Sequence, residues 1–325
     1  MPDPVVERRY MGNKLRGNIL LLITAVIWGS AFVAQSDGMN YVEPFTYNGI
    51  RTLLGGIVLI PVLFLLRKLP RKENGKTAEK APLKTTVTGG VCCGLLFCIA
   101  GMLQQYGISM TTAGKAGFVT ALYVVIVPVI EFIIFRRTNI KVWICCLIAI
   151  AGFYLLCIKE NFSIDLGDIL VLICAAVYAV HIMTVDRFVS KNADGTLMAC
   201  IQFFTAGTIM VICMFIFEKP DLSSILAAWF PICYAGIMSC GVAYTLQIIG
   251  QKYTDPTVAT LLMSLESVFA ALSGWLILNE SLSPKELAGC ALVFIAVIFA
   301  QINIKKLFKG KSNKGDTLPN EKISE

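Results

Sequence analysis

Two charged side chains stand near the middle of long apolar runs of this chain: Arg51, within 44–66, and Glu266, within 255–278. At helical rise, Arg51 would lie roughly 12 Å and Glu266 roughly 16 Å from the nearest end of its run. Both depths are near the middle of a bilayer, where an ionisable group costs ~2.5–3.5 kcal/mol on insertion scales. Each therefore calls for a partner or a task. A direct or water-bridged pair across a central cavity would lower the cost. A solute carboxylate docking on Arg51, or a proton docking on Glu266, could open such a pair; equally, it could be a permanent bridge holding the bundle. His181, the one histidine, could titrate near neutral pH or could serve as a hydrogen-bonded packing residue. Lys115 could draw an anionic group into an outward-open cavity or could snorkel to the headgroups. Trp28, Tyr123 and Tyr178 could stack on planar or cationic solutes, or could simply pack. Pro128 and Pro231 fall inside apolar runs and are hinge candidates, because proline removes a helix hydrogen bond.

No catalytic signature accompanies these residues. The sequence has no HExxH, no GxSxG and no Walker A loop; Ser109 stands where Gly114-Lys115 would need its partner glycine. The twelve cysteines all lie in apolar runs and none forms a CxxC, so they read as packing residues rather than a metal or disulfide framework. No metal, no cofactor and no enzymatic activity are expected. The net charge of +7 comes from basic residues beside apolar segments, which argues for membrane orientation and against nucleic acid.

The elements that must position these side chains follow from composition. Of the 325 residues, 56% are hydrophobic and 15% charged, and mean hydropathy is +0.73. A soluble domain carries about 25% charged residues. That deficit excludes a soluble enzyme, a disordered chain and a coiled coil. Ten stretches approach the ~20 apolar residues that cross a bilayer: 17–36, 44–66, 86–109, 113–135, 142–158, 167–186, 196–217, 225–249, 255–278 and 285–303. The ~10-residue alternating strands of a membrane barrel are absent. The first stretch follows basic residues as a signal peptide would, but its reappearance later in the chain favours a retained helix. With the N-terminus in the cytoplasm, 23 of the 28 basic residues fall on the cytoplasmic side. That asymmetry places both termini there. Residues 1–16 form a basic cytoplasmic segment and 304–325 a polar cytoplasmic tail.

The chain also repeats itself. Gly17–Ser36 matches Gly167–Asp186 at an offset of 150, with identities at Gly17, Ile19, Leu20, Leu22, Ile23 and Ala25. Gly107–Arg137 matches Gly250–Glu280 at an offset of 143, with identities that include Gly107, Ala116 and Leu122. Trp28 and Tyr178 occupy matching positions, as do Tyr123 and Glu266. Two five-helix repeats follow, 17–158 and 167–303. Because five is odd, the second is inserted upside down, which is the architecture of secondary transporters. The expected fold is an all-α membrane protein of ten transmembrane helices in two inverted repeats.

Several of these residues carry a family resemblance: Trp28-Gly29-Ser30-Ala31-Phe32, Arg51, Thr111 to Phe118, Pro128, Ser264 to Ala270, and Asn279-Glu280. In their order and spacing the chain resembles EamA-type members of the drug/metabolite transporter superfamily over about residues 15–303. Many members have proline after the glutamate at position 266, where this chain has Ser267. The resemblance implies a ten-helix carrier in the bacterial inner membrane, moving small solutes or metabolites by alternating access, with export favoured and a proton involved or not. Solute and membrane lipid are the partners implied. A lipid-modifying membrane enzyme would need a cluster of His, Asp or Cys at an interface, and a sensor or scaffold would need a soluble output domain; the sequence supplies neither. It does not reveal substrate or oligomeric state.

Overall fold

The computed structural model describes residues 4–68, 72–73, 76–77, 82–110, 113–136, 140–157, 165–254, 256–278 and 283–301. It is an all-α membrane protein. The helices are α1 (Pro4–Gly38), α2 (Pro44–Lys68), α3 (Leu83–Met110), α4 (Ala113–Ala121), α5 (Tyr123–Phe135), α6 (Ile140–Cys157), α7 (Leu166–Val189) and α8 (Gly195–Phe217). They continue with α9 (Leu222–Ala227), α10 (Trp229–Cys233), a π-helical segment Tyr234–Ala243, α11 (Tyr244–Gln251), α12 (Pro256–Met263), α13 (Glu266–Leu278) and α14 (Pro284–Gln301). The strands among the described residues are a short antiparallel pairing of Lys72–Glu73 with Lys76–Thr77.

Seven helical segments are long and apolar enough to cross a membrane, and three shorter apolar helices lie at 119–134, 140–152 and 287–299. Each of the ten expected stretches coincides with one of these. Prolines at 44, 256 and 284 open α2, α12 and α14, where a missing N–H costs nothing because the first turn has no acceptor for it. Side chains such as Phe64, Leu65, Ile133, Leu147, Phe215 and Leu276 are exposed on the outside of the bundle, as lipid contact requires. α1 begins well before the expected boundary, taking in most of the basic segment 1–16. Its early residues favour helix, and nothing in Val-Val-Glu-Arg-Arg stops it.

Helix packing is paired across the two halves. α3 packs on α7 and α8, while α1 and α2 pack on the span built from α10, the π segment and α11. α6 packs on α14, and α2 on α8. The glycines shared by the repeats mark two of these crossings. A Cβ on Gly107 would stand 2.9 Å from the Gly167 carbonyl oxygen, and a Cβ on Gly17 would stand 2.9 Å from that of Gly250. The backbones thus touch at matching points, Gly17 with Gly250 and Gly107 with Gly167, and no larger residue fits. Gly90 and Gly94 likewise let α3 close on α8.

Polar ties fix helix ends. Glu218, just past α8, accepts hydrogen bonds from the Phe45 and Thr46 amides, both at 2.6 Å, and from the Thr46 hydroxyl at 2.7 Å. It caps the N-terminus of α2 from 172 residues away and couples that helix to α8. Asp194 caps α8 by accepting from the Leu197 amide at 3.3 Å.

Candidate functional site

Two of the spans are broken, and the breaks correspond. α4 and α5 part at Leu122; α12 and α13 part at Ser264–Leu265. At the first break the Leu122 amide bonds the Val119 carbonyl at 3.2 Å, and at the second the Leu265 amide bonds that of Leu262 at 3.3 Å. Both are three-residue bonds replacing the four-residue helical ones, and they lie 143 positions apart. The break near Glu266 forms without proline. The Ser267 amide bonds the Ser264 carbonyl at 3.2 Å, and its hydroxyl bonds the Gly117 carbonyl on α4 at 3.0 Å.

The residues that restart the helices, Tyr123 and Glu266, meet. The Tyr123 hydroxyl donates to Glu266 Oε1 at 3.0 Å, and both side chains are buried. They line a cavity together with Trp28, Phe32 and Gln35 of α1, Arg51 of α2 and Gln104 of α3. Thr120, Tyr178, His181, Ile182, Ser239, Tyr244 and Gln247 complete the wall. A second, polar cavity lies at the opposite end of α1, where Asn13, Lys14, Asp186, Lys252 and Gln251 surround it.

Of the site residues read from sequence, Arg51, Glu266, Trp28, Tyr123, Tyr178 and His181 are all brought to the central cavity. The direct Arg51–Glu266 pair is not formed. Arg51 is 2% exposed and its Nε donates to Asn48 Oδ1 at 2.6 Å, while Nη1 faces Cys240 Sγ at 3.9 Å and the guanidinium lies 5.5 Å from the Tyr47 ring centre. Asn48 sits one turn before Arg51 and donates to the Gly101 carbonyl at 2.9 Å, so α3 fixes the arginine through it. Glu266 turns instead to Tyr123. The two charges share a wall of the cavity without touching.

His181 is fully buried, with Nε2 3.1 Å from Gln202 Oε1, and its Nδ1 has no partner. Trp28 Nε1, Gln35 Oε1 and Gln247 Oε1 are also buried without partners. The Tyr244 hydroxyl donates to that of Tyr178 at 3.3 Å, and the Trp28 and Tyr244 rings lie 4.7 Å apart. Lys115 is on α4, but its side chain falls outside the described residues.

Neither proline is at a break. Pro128 lies within α5, six residues past Leu122, and the Val124 carbonyl it frees accepts from Cys146 Sγ at 3.4 Å. Pro231 is in the first turn of α10, where its absent N–H interrupts nothing.

Sequence reading missed Asn48, Phe32, Gln104, Tyr244 and Gln247 as cavity-associated residues. The repeat offsets hold a signal for three of them. Phe32 matches Ile182 at 150, and Gln104 matches Gln247 at 143. With Trp28/Tyr178 and Tyr123/Glu266, four matched pairs line one cavity.

Comparison with known proteins adds the decisive observation. The family model described as the EamA-like transporter family matches residues 15–158 and again residues 165–301. The chain belongs to the EamA-like transporter family. It is 28% identical over 294 residues to an uncharacterized transporter of Archaeoglobus fulgidus, covering 90% of this chain and 88% of the relative. It is 27% identical over 298 residues to the uncharacterized inner membrane transporter YedA of Escherichia coli strain K12, covering 88% and 90%. A crystal structure superposes with a TM-score of 0.70 over 89% of this chain and 98% of its own, at 19% identity, and shares the fold. This family member is a multi-pass membrane protein whose relatives are named as transporters.

Proposed function

We propose that this chain is a secondary transporter that exports small organic solutes or metabolites across the bacterial cytoplasmic membrane. Residues 17–158 and 167–303 act as two inverted repeats that rock about the central cavity. The observation that carries the reading is the set of four matched pairs, each giving one residue from either repeat to a single cavity. Rocking one repeat against the other would then change access to the cavity from one side to the other. The paired breaks put deformable backbone beside Tyr123 and Glu266, where such a motion needs it. The fit of a secondary carrier is tested in liposomes holding only the purified chain. Several solutes from a broad labelled panel should move down their gradients without nucleotide, and at least one should respond to an imposed pH gradient. Failure of every solute under every gradient sinks the proposal.

The distribution of basic residues supports a topology with both termini in the cytoplasm. Cysteines introduced at Asn40 and Ser283, both exposed, are expected to react with an impermeant thiol reagent from outside intact cells. A cysteine at Asn192, also exposed, should react only after permeabilisation. Asn161 (outside) and Asn74 (inside) extend the test and lie outside the described residues. The eleven described native cysteines are free and none is exposed, so background labelling stays low. Labelling at 192 in intact cells reverses the orientation.

A further inference from the structure

We infer that two glutamines, Gln105 and Gln251, are the latches that shut the central cavity at its two ends. This deepens the transporter reading and rests on it. Size is the first argument. The central cavity has open space of about 40 Å³, room for a few waters and far below the roughly 300 Å³ of a small-molecule site. The polar cavity bordered by Lys14, Asn192 and Lys252 has about 520 Å³. A metabolite fits the second and not the first, so the wall between them has to part before solute moves on. That wall is about one helical turn thick. Ile182 of α7 and Gln247 of α11 face the central cavity, and Asp186 and Gln251, four residues further along the same helices, face the polar one. Gln251 crosses the wall, its Nε2 donating to the Ile182 carbonyl at 3.4 Å.

The other end of the cavity is closed in the same manner. Gln105 of α3 donates through Nε2 to the carbonyl of Gln35 on α1 at 3.2 Å, and Gln35 lines the cavity. α3 and α1 are the repeat counterparts of α11 and α7. The two ties are one turn from strict equivalence, since at the repeat offsets Gln105 falls on Ile248 and Gln35 on Val185. Backbone contact already joins α1 to α11 at Gly17 and Gly250, and α3 to α7 at Gly107 and Gly167. The glutamines are polar ties between these two glycine-bound pairs, one at either end of the cavity. Both are built to let go. Gln105 and Gln251 are buried, and Oε1 of each has no partner. A buried acceptor left unpaired costs at least as much as one such bond contributes, and water entering an opened end satisfies it. The Glu218 tie to α2, with three short bonds, has no such slack.

The test is sided labelling of Ser239→Cys, a buried position on the central cavity wall, by an impermeant cationic methanethiosulfonate in intact cells and in inverted vesicles. The molecule itself defines the faces: the Gln251 face is the one where Asn192→Cys reacts, and the Gln105 face the one where Asn40→Cys reacts, both positions being exposed. Labelling of the same chains with Ser239 retained gives the background to subtract. With both glutamines present, Ser239→Cys should react about tenfold or more slowly from either face than that face's own reporter. Gln251→Met, unbranched, of similar bulk and without the donor, should speed the reaction about threefold or more from the Asn192 face alone. Gln105→Met should do so from the Asn40 face alone. The comparison of Ser239→Cys with the two face reporters keeps the inference open to refutation where a methionine variant does not fold. Reaction of Ser239→Cys as fast as Asn192→Cys or Asn40→Cys with both glutamines present overturns it. So does an unchanged rate in a folded methionine variant, or equal acceleration from both faces. Solute flux in liposomes separates the two readings: sided acceleration with no flux of any solute leaves the latches and sinks the transporter, and flux with unsided labelling does the reverse.

Discussion

In the Glu266→Gln variant, solute transport is expected to lose its response to pH while the protein remains folded and inserted. Glu266 is the carboxyl among the cavity-lining residues, it is 3% exposed, and it restarts the helix at the α12–α13 break. If one proton binds and leaves there in each cycle, an imposed pH gradient drives uphill solute accumulation in the native chain. Glutamine keeps the shape and still accepts from the Tyr123 hydroxyl, but it cannot exchange a proton. Accumulation should therefore collapse to equilibration, a loss of up to about tenfold under a one-unit pH gradient, the ceiling for one proton per cycle. Solute-for-solute exchange should persist, because it needs no proton. Tyr123→Phe removes the phenol and keeps the carboxyl, so it should move the pH of half-maximal transport without abolishing the dependence. The measurement is flux into liposomes with the pH gradient imposed and the solute gradient absent. Native-like accumulation by Glu266→Gln, or no response to pH in the native chain, defeats the proton-coupling role of this residue.

How far this site was visible in the sequence differs from residue to residue. The spans were legible because lipid permits so few backbone solutions, and ten apolar stretches have little else to be. Arg51 and Glu266 were legible as cavity residues for the same reason: a charge at that depth cannot face lipid. Their partners were not. Two residues at similar depth look like a pair in one dimension, but helix rotation decides contact, and Asn48, one turn before Arg51, claims its Nε. Tyr123 and Glu266 matched in the repeat alignment, which marks equivalence rather than contact; equivalent residues touch only when they lie near the axis relating the halves. The breaks left no mark at all. Neither Leu122 nor Ser264-Leu265 contains proline or glycine, so the interruptions come from packing between the two broken spans, as in the Ser267 bond to Gly117. Pro128 lies six residues past the first break, and the carbonyl it frees accepts from Cys146 of a different helix.

Gly29→Ala should be among the most damaging single-methyl changes in the chain. The added Cβ would stand 2.4 Å from Phe269 Cβ, 2.7 Å from the Glu266 carbonyl oxygen and 2.8 Å from the Ala270 amide nitrogen. Two of these three are backbone atoms of α13, and the third is fixed to that backbone, so no side-chain rotation relieves the clash. α1 and α13 must move apart, next to Trp28 on one helix and Glu266 on the other. Overpacking of this kind costs about 1–3 kcal/mol in well-packed cores and more where backbone must shift. The displacement also spreads the two sides of the cavity. Gly101→Ala is the matched control, since its Cβ would meet the end of the Met210 side chain at 3.4 Å and Phe97 Cζ at 4.0 Å, both ordinary contacts. There the helix preference of alanine over glycine, roughly 0.8–1.0 kcal/mol, works in the protein's favour. Thermal unfolding of both variants in detergent should therefore split them, with Gly29→Ala melting well below the native chain and Gly101→Ala at or above it. Phe269→Gly should not rescue Gly29→Ala, because the Glu266 carbonyl and Ala270 amide stay in place. A native-like melting temperature for Gly29→Ala, or full rescue by Phe269→Gly, would show that α1 and α13 are not pressed together at this point.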